Sequence, residues 1–333
     1  MMSASLSASP SALSYAIIGT GAIGGYYGSR LQQGGCEVHF LLRSDYEQVK
    51  NSGLVIESID GDFVLPRVNA YCRAADIPPV DVAIVALKTT RNHQLMDLLP
   101  KLKPGGAILS LQNGLGIESA IARQLTENNR PVPSILGGLC FICSNKVGSG
   151  HFRHLDYGRI LLGAHSLDHQ PCLPTSLMES ITADFSRGPV EIAMTDDLPM
   201  ARWRKLVWNV PYNGLSVVLD ATTAEMMGNE DVRSLITTLM QEVVSVANVW
   251  GEKTSPGAHR TLSSDVIDQM LAHTDEMSDY RTSMKIDYDE KRPLEIEAIL
   301  GNPIQAAQAL SLPVPAMTML YQQLSFLDAK LQR

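Results

Sequence analysis

Lys205, Asn209 and Asn213 recur at i, i+4 and i+8 in a mostly apolar run over residues 202–215. On a helix each four-residue step turns a side chain by roughly 40°, so the ammonium and the two carboxamides share one face. On a buried-looking helix these groups need polar partners, because a buried unpaired polar group costs about 1–3 kcal/mol. A bound molecule carrying a carboxylate, a ketone and a hydroxyl would supply them. The ammonium could then stabilise and protonate an oxygen that gains negative charge. The plainer alternative is a surface lysine and two amides that cap neighbouring loops. Pro211 lies in the same run, removes a helical hydrogen bond and is expected to kink the helix.

A second group of residues suits a phosphate. Tyr15-Ala-Ile-Ile18 reads as a short apolar strand, followed at once by Gly19-Thr20-Gly21-Ala22-Ile23-Gly24 and a helical run over 25–33. Strand, GxGxxG and helix in that order cradle a dinucleotide. Gly19 makes the tight turn, Gly21 lets the backbone approach the pyrophosphate, and Gly24 lets helix and strand pack closely. The helix start offers free N–H groups and a partial positive charge. The next strand, 37–42, ends at Arg43, where an NAD site usually carries Asp or Glu. An arginine there would pair with a 2′-phosphate, so NADP(H) is expected over NAD(H), with Asp45 close by as the counter-argument.

Further candidates sit at strand ends. A nearly all-apolar strand over 81–87 ends in Lys88, at the carboxyl edge where α/β sheets bind ligands. A strand over 107–111 ends in Gln112-Asn113-Gly114-Leu115-Gly116. Asn113 is read as a ligand contact, against a plain Asn-Gly turn. Ser283 sits in a long polar stretch over 274–292 and by itself reads as a loop serine. Glu295 and Glu297 open an apolar helix, where a carboxylate gains about 0.3–1 kcal/mol from the dipole alone. Cys140-Phe-Ile-Cys143 lies in a β-like run, where i and i+3 point to opposite faces, so it is read as structural. The eight histidines show no metal-ligand spacing, and no metal is expected.

The elements that must position these groups fall into two regimes. Strands alternate with helices up to about residue 194, with hairpins expected over 53–68 around Asp60-Gly61 and over 150–163 around Asp156-Tyr-Gly158. Thr195-Asp-Asp-Leu-Pro199 then offers an N-cap aspartate, Asp196 or Asp197, and a first-turn proline. Beyond it only helical periodicity remains, as in 230–250. The expected division is a disordered tail over 1–14, a nucleotide-binding unit over 15–196 and a helical substrate and catalytic unit over 197–333. The 333 residues are 45% hydrophobic and 19% charged, enough for two packed cores. A net charge of −8 without basic runs argues against nucleic acid. No apolar run reaches membrane-spanning length. Five scattered cysteines, and a tail without lysine or arginine, fit the cytoplasm.

Taken together, Gly19–Gly24, Leu87-Lys88, Gln112-Asn-Gly-Leu-Gly116, the Lys205/Asn209/Asn213 row, Thr282-Ser-Met284 and Glu295-Ile-Glu297 resemble the ketopantoate reductase family, in family order. The resemblance implies an α/β Rossmann-type N-terminal domain. It implies an all-α C-terminal domain of the 6-phosphogluconate dehydrogenase C-terminal-like kind, and a cleft between the two. It implies NADPH-dependent reduction of ketopantoate to pantoate, on the way to pantothenate and coenzyme A. It gives Lys205 the role of catalytic lysine and Glu295 that of an active-site glutamate. Asn113, Asn209, Asn213 and Ser283 become contacts to substrate or nicotinamide. Gly19, Thr20, Gly21, Ala22, Ile23, Gly24, Arg43, Lys88, Asn113 and Glu295 become the cofactor side. Pro211, Leu300 and the break expected at Gly301-Asn302-Pro303 depart from the family pattern. Reduction of another 2-oxo acid is the nearest alternative, and a non-catalytic NADP(H)-binding sensor the more distant one. A homodimer is compatible with the chain.

Overall fold

The computed structural model describes residues 12–277 and 279–332. Most of the expected tail, residues 1–11, lies outside the described residues. Ser14 already belongs to the first strand, where its amide and hydroxyl both donate to Asp81.

The first half of the chain runs β1 (Ser14–Ile18), α1 (Ala22–Gln33), β2 (Glu37–Leu41), α2 (Tyr46–Ser52), β3 (Leu54–Ser58), β4 (Phe63–Leu65), β5 (Asn69–Tyr71), β6 (Val80–Val85), α3 (Leu95–Leu98), β7 (Leu102–Ser110), α4 (Ile117–Glu127), β8 (Ser134–Gly148), β9 (His151–Ala164), α5 (Ser176–Arg187) and β10 (Ile192–Thr195). The strands form one sheet, ordered β4-β3-β9-β8-β7-β6-β1-β2-β5, with β10 beside β9. From β8 to β5 the neighbours are parallel, and their apolar strands are buried on both faces, as such sheets require. β3 and β4 form the hairpin expected around Asp60-Gly61.

The expected hairpin over 150–163 is not there. β9 is one continuous strand paired antiparallel with β8, and the chain reverses at Ser149-Gly150, where Gly150 has φ +65°. Asp156-Tyr-Gly158 is instead an irregularity within β9, with Tyr157 at φ 60°. Both places carry the glycine and polar residues that signal a turn. Composition alone does not separate a reversal from a bulge. The long β8–β9 ribbon curls over α1, where Phe152 fills the space a Cβ on Gly25 would need.

The second half is helical: α6 (Leu198–Val218), α7 (Thr223–Met227), α8 (Glu230–Thr254), α9 (Val266–Glu276), α10 (Ser283–Asp289), a π turn (Glu297–Gly301), α11 (Asn302–Ala309) and α12 (Pro315–Leu331). Asp197 caps α6 through the Met200 amide, and Arg260 grips the same carboxylate through two 2.7 Å hydrogen bonds. α6 runs unbroken through Pro211. Its Trp203, Leu206 and Val210 pack with Leu239, Val243 and Leu320 in one core, so burial along the helix outweighs one missing hydrogen bond. The polar stretch over 274–292 conceals α10, whose N-cap is Thr282. Gly301-Asn302-Pro303 does not end its helix either. A π turn leads straight into α11, and Pro303, which has no N–H to donate, falls where the ladder passes from π to α register. Among the described residues no helix is long and apolar enough to cross a membrane.

Candidate active site in the interdomain cleft

A cleft of about 1680 Å³ runs between the two halves, from the glycine turn to the polar face of α6. Its first part is shaped by backbone. Gly19, at φ +98°, passes so close to β6 that a Cβ would sit 2.7 Å from the Leu87 nitrogen. A Cβ on Gly24 would fall 2.2 Å from the Gly19 carbonyl, so the helix packs tightly on the turn. A Cβ on Gly21 would meet nothing within 4 Å, which leaves bare backbone facing the cleft at the start of α1. Thr20 ties the turn to β2 by donating to the Leu41 carbonyl at 3.1 Å. Thr20, Ala22 and Ile23 line the cleft with the glycines. This shape fits a dinucleotide pyrophosphate.

Arg43 is exposed at the mouth of this end and lines the cleft. Asp45 is buried and already engaged. It pairs with Lys146 at 2.5 Å and accepts the Gly150 amide at 3.1 Å. Burial works against its charge, but Lys146 and that amide prevail and hold the carboxyl below its usual range.

Lys205 lies at the other end, partly open to the cleft and otherwise enclosed. Its Nζ donates to Asn113 Oδ1 at 2.8 Å and to the Cys140 carbonyl at 2.6 Å, and it stands 5.2 Å from the Phe141 ring centre. Burial lowers its pKa to about 8; Arg202 pushes the same way and Glu295 opposes. The lysine thus sits near the pH at which it can both give and regain a proton. Asn209 is buried, lines the cleft and makes no side-chain hydrogen bond among the described residues. Asn213 lines it too, but its Oδ1 already accepts from the Ser283 hydroxyl (3.3 Å) and the Met284 amide (3.2 Å). That amide therefore seats α10 and holds Ser283 at the cleft wall.

Lys88 and Glu295 meet across the cleft. Glu295 lies just before the helix whose first turn it was expected to open. Its Oε1 accepts the Thr89 amide and hydroxyl, at 2.8 and 2.9 Å, and its Oε2 lies 3.3 Å from Lys88. The dipole account of Glu295 is thereby replaced by a bridge to the β6 edge. Lys88 also donates to Asp287 at 2.7 Å. Burial alone would lower the pKa of Lys88, but Glu295 and Asp287 outweigh it and raise it. The Cys140 carbonyl, Thr89 and Asp287 were not singled out from sequence. A backbone carbonyl leaves no side-chain signal. Asp287 follows Ser283 by four residues on α10, the same spacing that exposed the α6 row. Cys140 and Cys143 are buried free thiols, as the strand reading expects. Among the described residues no group of His, Cys, Asp or Glu could hold a metal ion.

Fold and cleft define a two-domain oxidoreductase built around a dinucleotide-shaped turn. Residues 15–166 match the family "Ketopantoate reductase PanE/ApbA", and residues 197–328 match its C-terminal counterpart. The chain belongs to the ketopantoate reductase family, whose members are NAD(P)-dependent oxidoreductases. It is 51% identical to the 2-dehydropantoate 2-reductase of Nostoc sp. strain PCC 7120, over 95% of each chain. The crystal structure of 2-dehydropantoate 2-reductase from Geobacter metallireducens is 40% identical, with a TM-score of 0.85 over 94% of this chain and 99% of that one. D-mandelate dehydrogenase with NADH and anilino(oxo)acetate shares the fold, at 22% identity and a TM-score of 0.81 over 96% of this chain and 99% of that one.

Proposed function

We propose that the chain reduces ketopantoate (2-dehydropantoate) to pantoate, with NADPH as the reductant and Lys205 as the proton donor. The observation that carries this reading is the position of the Lys205 ammonium. It lies in the same cleft as the glycine turn, hydrogen-bonded to Asn113, and Asn209 and Ser283 line that cleft too.

Gly19–Gly24 and the start of α1 hold the pyrophosphate, and Arg43 pairs with the 2′-phosphate. Asp45, occupied by Lys146 and Gly150, offers no free carboxylate to repel that phosphate or to accept a ribose hydroxyl. Lys88 lines the same path as a cofactor contact, its charge already met by Asp287 and Glu295. A nicotinamide dinucleotide held there would supply the hydride for C2 of the 2-oxo acid. Ser283 and Asn209 hold the substrate carboxylate, and Asn113 fixes the amine. As negative charge develops on the C2 oxygen, Lys205 stabilises it and donates a proton, then regains one from solvent. Proton donation of this kind contributes about 10²–10⁴ in rate, and a partly dry cleft strengthens the charge interaction.

The test follows NADPH oxidation by absorbance with ketopantoate, then with a panel of 2-oxo acids, each repeated with NADH. Turnover of ketopantoate with NADPH well above every other pair is expected. Equal turnover with NADH would remove the 2′-phosphate role of Arg43. Preference for another 2-oxo acid would reassign the substrate. Tight NADPH binding without any turnover would favour the sensor reading.

A further inference from the structure

Arg202 lies three residues before Lys205 on α6 and is 4% exposed. All its described hydrogen bonds reach into the other half of the molecule. Nε donates to both carboxylate oxygens of Glu118 on α4, at 3.1 and 2.9 Å, and Nη2 donates to the same carboxylate. Nη1 donates to the carbonyls of Gln112 and Gly114, at 3.0 and 3.1 Å. Those two carbonyls flank Asn113, whose Oδ1 accepts from Lys205. α6 therefore grips one loop twice, on its backbone through Arg202 and on its side chain through Lys205.

The surroundings are shaped for this grip. Glu118 is buried against Gly137, where a Cβ would fall 2.4 Å from its Oε1. A guanidinium is a rigid fork whose N–H groups serve a carboxylate and two carbonyls together; an ammonium is a point donor and does not. The far end of the loop is tied separately, since the Leu115 amide donates to the Ala298 carbonyl at 2.9 Å. The Gln112 side chain ties the near end to the Leu87 carbonyl and Asn92, and Arg202 holds the backbone carbonyls on both sides of Asn113 between these two ties.

We propose that Arg202, held by Glu118, is a positioning residue for the reduction: it fixes the backbone on both sides of Asn113 so that Asn113 and Lys205 stay aligned for proton transfer. The proposal rests on the reading of Lys205 as proton donor. Misplacement by about 1 Å can cost 10²-fold in rate. The charged groups facing Lys205 are Arg202 from its own helix and Glu295 from the segment before the π turn. Cys140 faces it from β8 with a carbonyl and a thiol that burial keeps protonated.

The decisive comparison uses Arg202→Met/Glu118→Met, which removes both buried charges together and so leaves neither unpaired, beside Arg202→Lys. Wild type and Lys205→Met are measured in parallel. The double variant should lose about 10–100-fold in kcat, with KM for NADPH within about threefold. The pH at which Lys205 titrates should rise, because the Arg202 charge that lowers it is gone, while Glu118, removed with it, is not among the charges that act on Lys205. Arg202→Lys keeps the charge and loses the two-carbonyl grip, so it should lose kcat without the pH shift. A merely structural residue would not separate these two effects.

The titration of Lys205 is also read without turnover, from the pH dependence of its acylation by an amine-reactive reagent, followed by peptide mass spectrometry. A folded double variant with near-wild-type kcat and an unmoved titration overturns the proposal. If the double variant does not fold, near-wild-type kcat in Arg202→Lys overturns it alone. Failure of the underlying reading looks different: Lys205→Met would then turn over as fast as wild type, whatever Arg202 does.

Discussion

At the nucleotide end of the cleft the chain works with backbone. Gly19, Gly21 and Gly24 leave out side chains so that peptide groups can turn, pack and face a ligand, and Arg43 stands exposed at the rim. At the Lys205 end it works with enclosed side chains whose partners come from distant segments: Asn113, the Cys140 carbonyl, Arg202 and Glu118. The first end depends on what is absent and tolerates local change poorly. The second depends on several groups agreeing in charge and position, and couples both halves of the molecule.

If the ends are as distinct as this, variants should separate binding from chemistry. The largest effect is expected from Lys205→Met, a loss of about 10²–10⁴ in kcat with the NADPH dissociation constant within about threefold of wild type. A matching loss of NADPH affinity in equilibrium titration would merge the two ends. Arg43→Ala comes next. It should raise KM for NADPH about 10–100-fold, as loss of a charge-assisted contact does, and leave KM for NADH and both kcat values nearly unchanged. Equal changes for the two cofactors would show that Arg43 does not read the phosphate.

A third comparison is pH. If Lys205 is the proton donor, the reduction needs it protonated, and burial sets its pKa at about 8 in the free protein. A bound anionic substrate favours the ammonium, so binding moves the titration up rather than down. kcat/KM should therefore be flat below about pH 8 and fall about tenfold per unit well above it. The limb in kcat should lie at higher pH than the limb in kcat/KM. A fall setting in below pH 7 would contradict the assignment. The smallest effect is expected from Asn213→Ala. Its Oδ1 seats α10 through Ser283 and the Met284 amide, so thermal unfolding should report a loss of about 1–3 kcal/mol, with a several-fold rise in KM for the 2-oxo acid. Unchanged stability with a large drop in kcat would return Asn213 to direct substrate contact.

Legibility in the sequence follows the same division. A glycine required by backbone shape is visible wherever its spacing is, and the Lys205, Asn209 and Asn213 row is visible because helical periodicity is local. The start of the all-helical half was equally plain at Asp197-Leu-Pro199. What failed to show needs knowledge of what lies opposite. Glu295 looks like a dipole-stabilising carboxylate until Lys88 and Thr89 are placed across from it. Asp45 looks available to a ribose until Lys146 reaches it from the end of β8. The same composition, glycine beside polar residues, marks a reversal at Ser149-Gly150 and only a bulge at Asp156-Tyr-Gly158. α10 was obscured because its charged residues, Lys285, Asp287 and Asp289, are as many as its apolar ones, Met284, Ile286 and Tyr288, and Thr282 as N-cap was its main local sign.

The pairing of β3 with β9 has a consequence for how the chain is made. Ser58 and His154 are hydrogen-bonded although 96 residues separate them, and Val55 lies beside His151 in the same register. On a ribosome the early strand emerges long before its neighbour exists. Its apolar residues, Leu54 and Ile56, stay uncovered until the later ribbon arrives. Closing so long a loop slows folding, and an unpaired strand is open to the wrong partner meanwhile. The segment over 54–65 is therefore where the newborn chain is most exposed to aggregation, although in the finished molecule it lies at the sheet's edge.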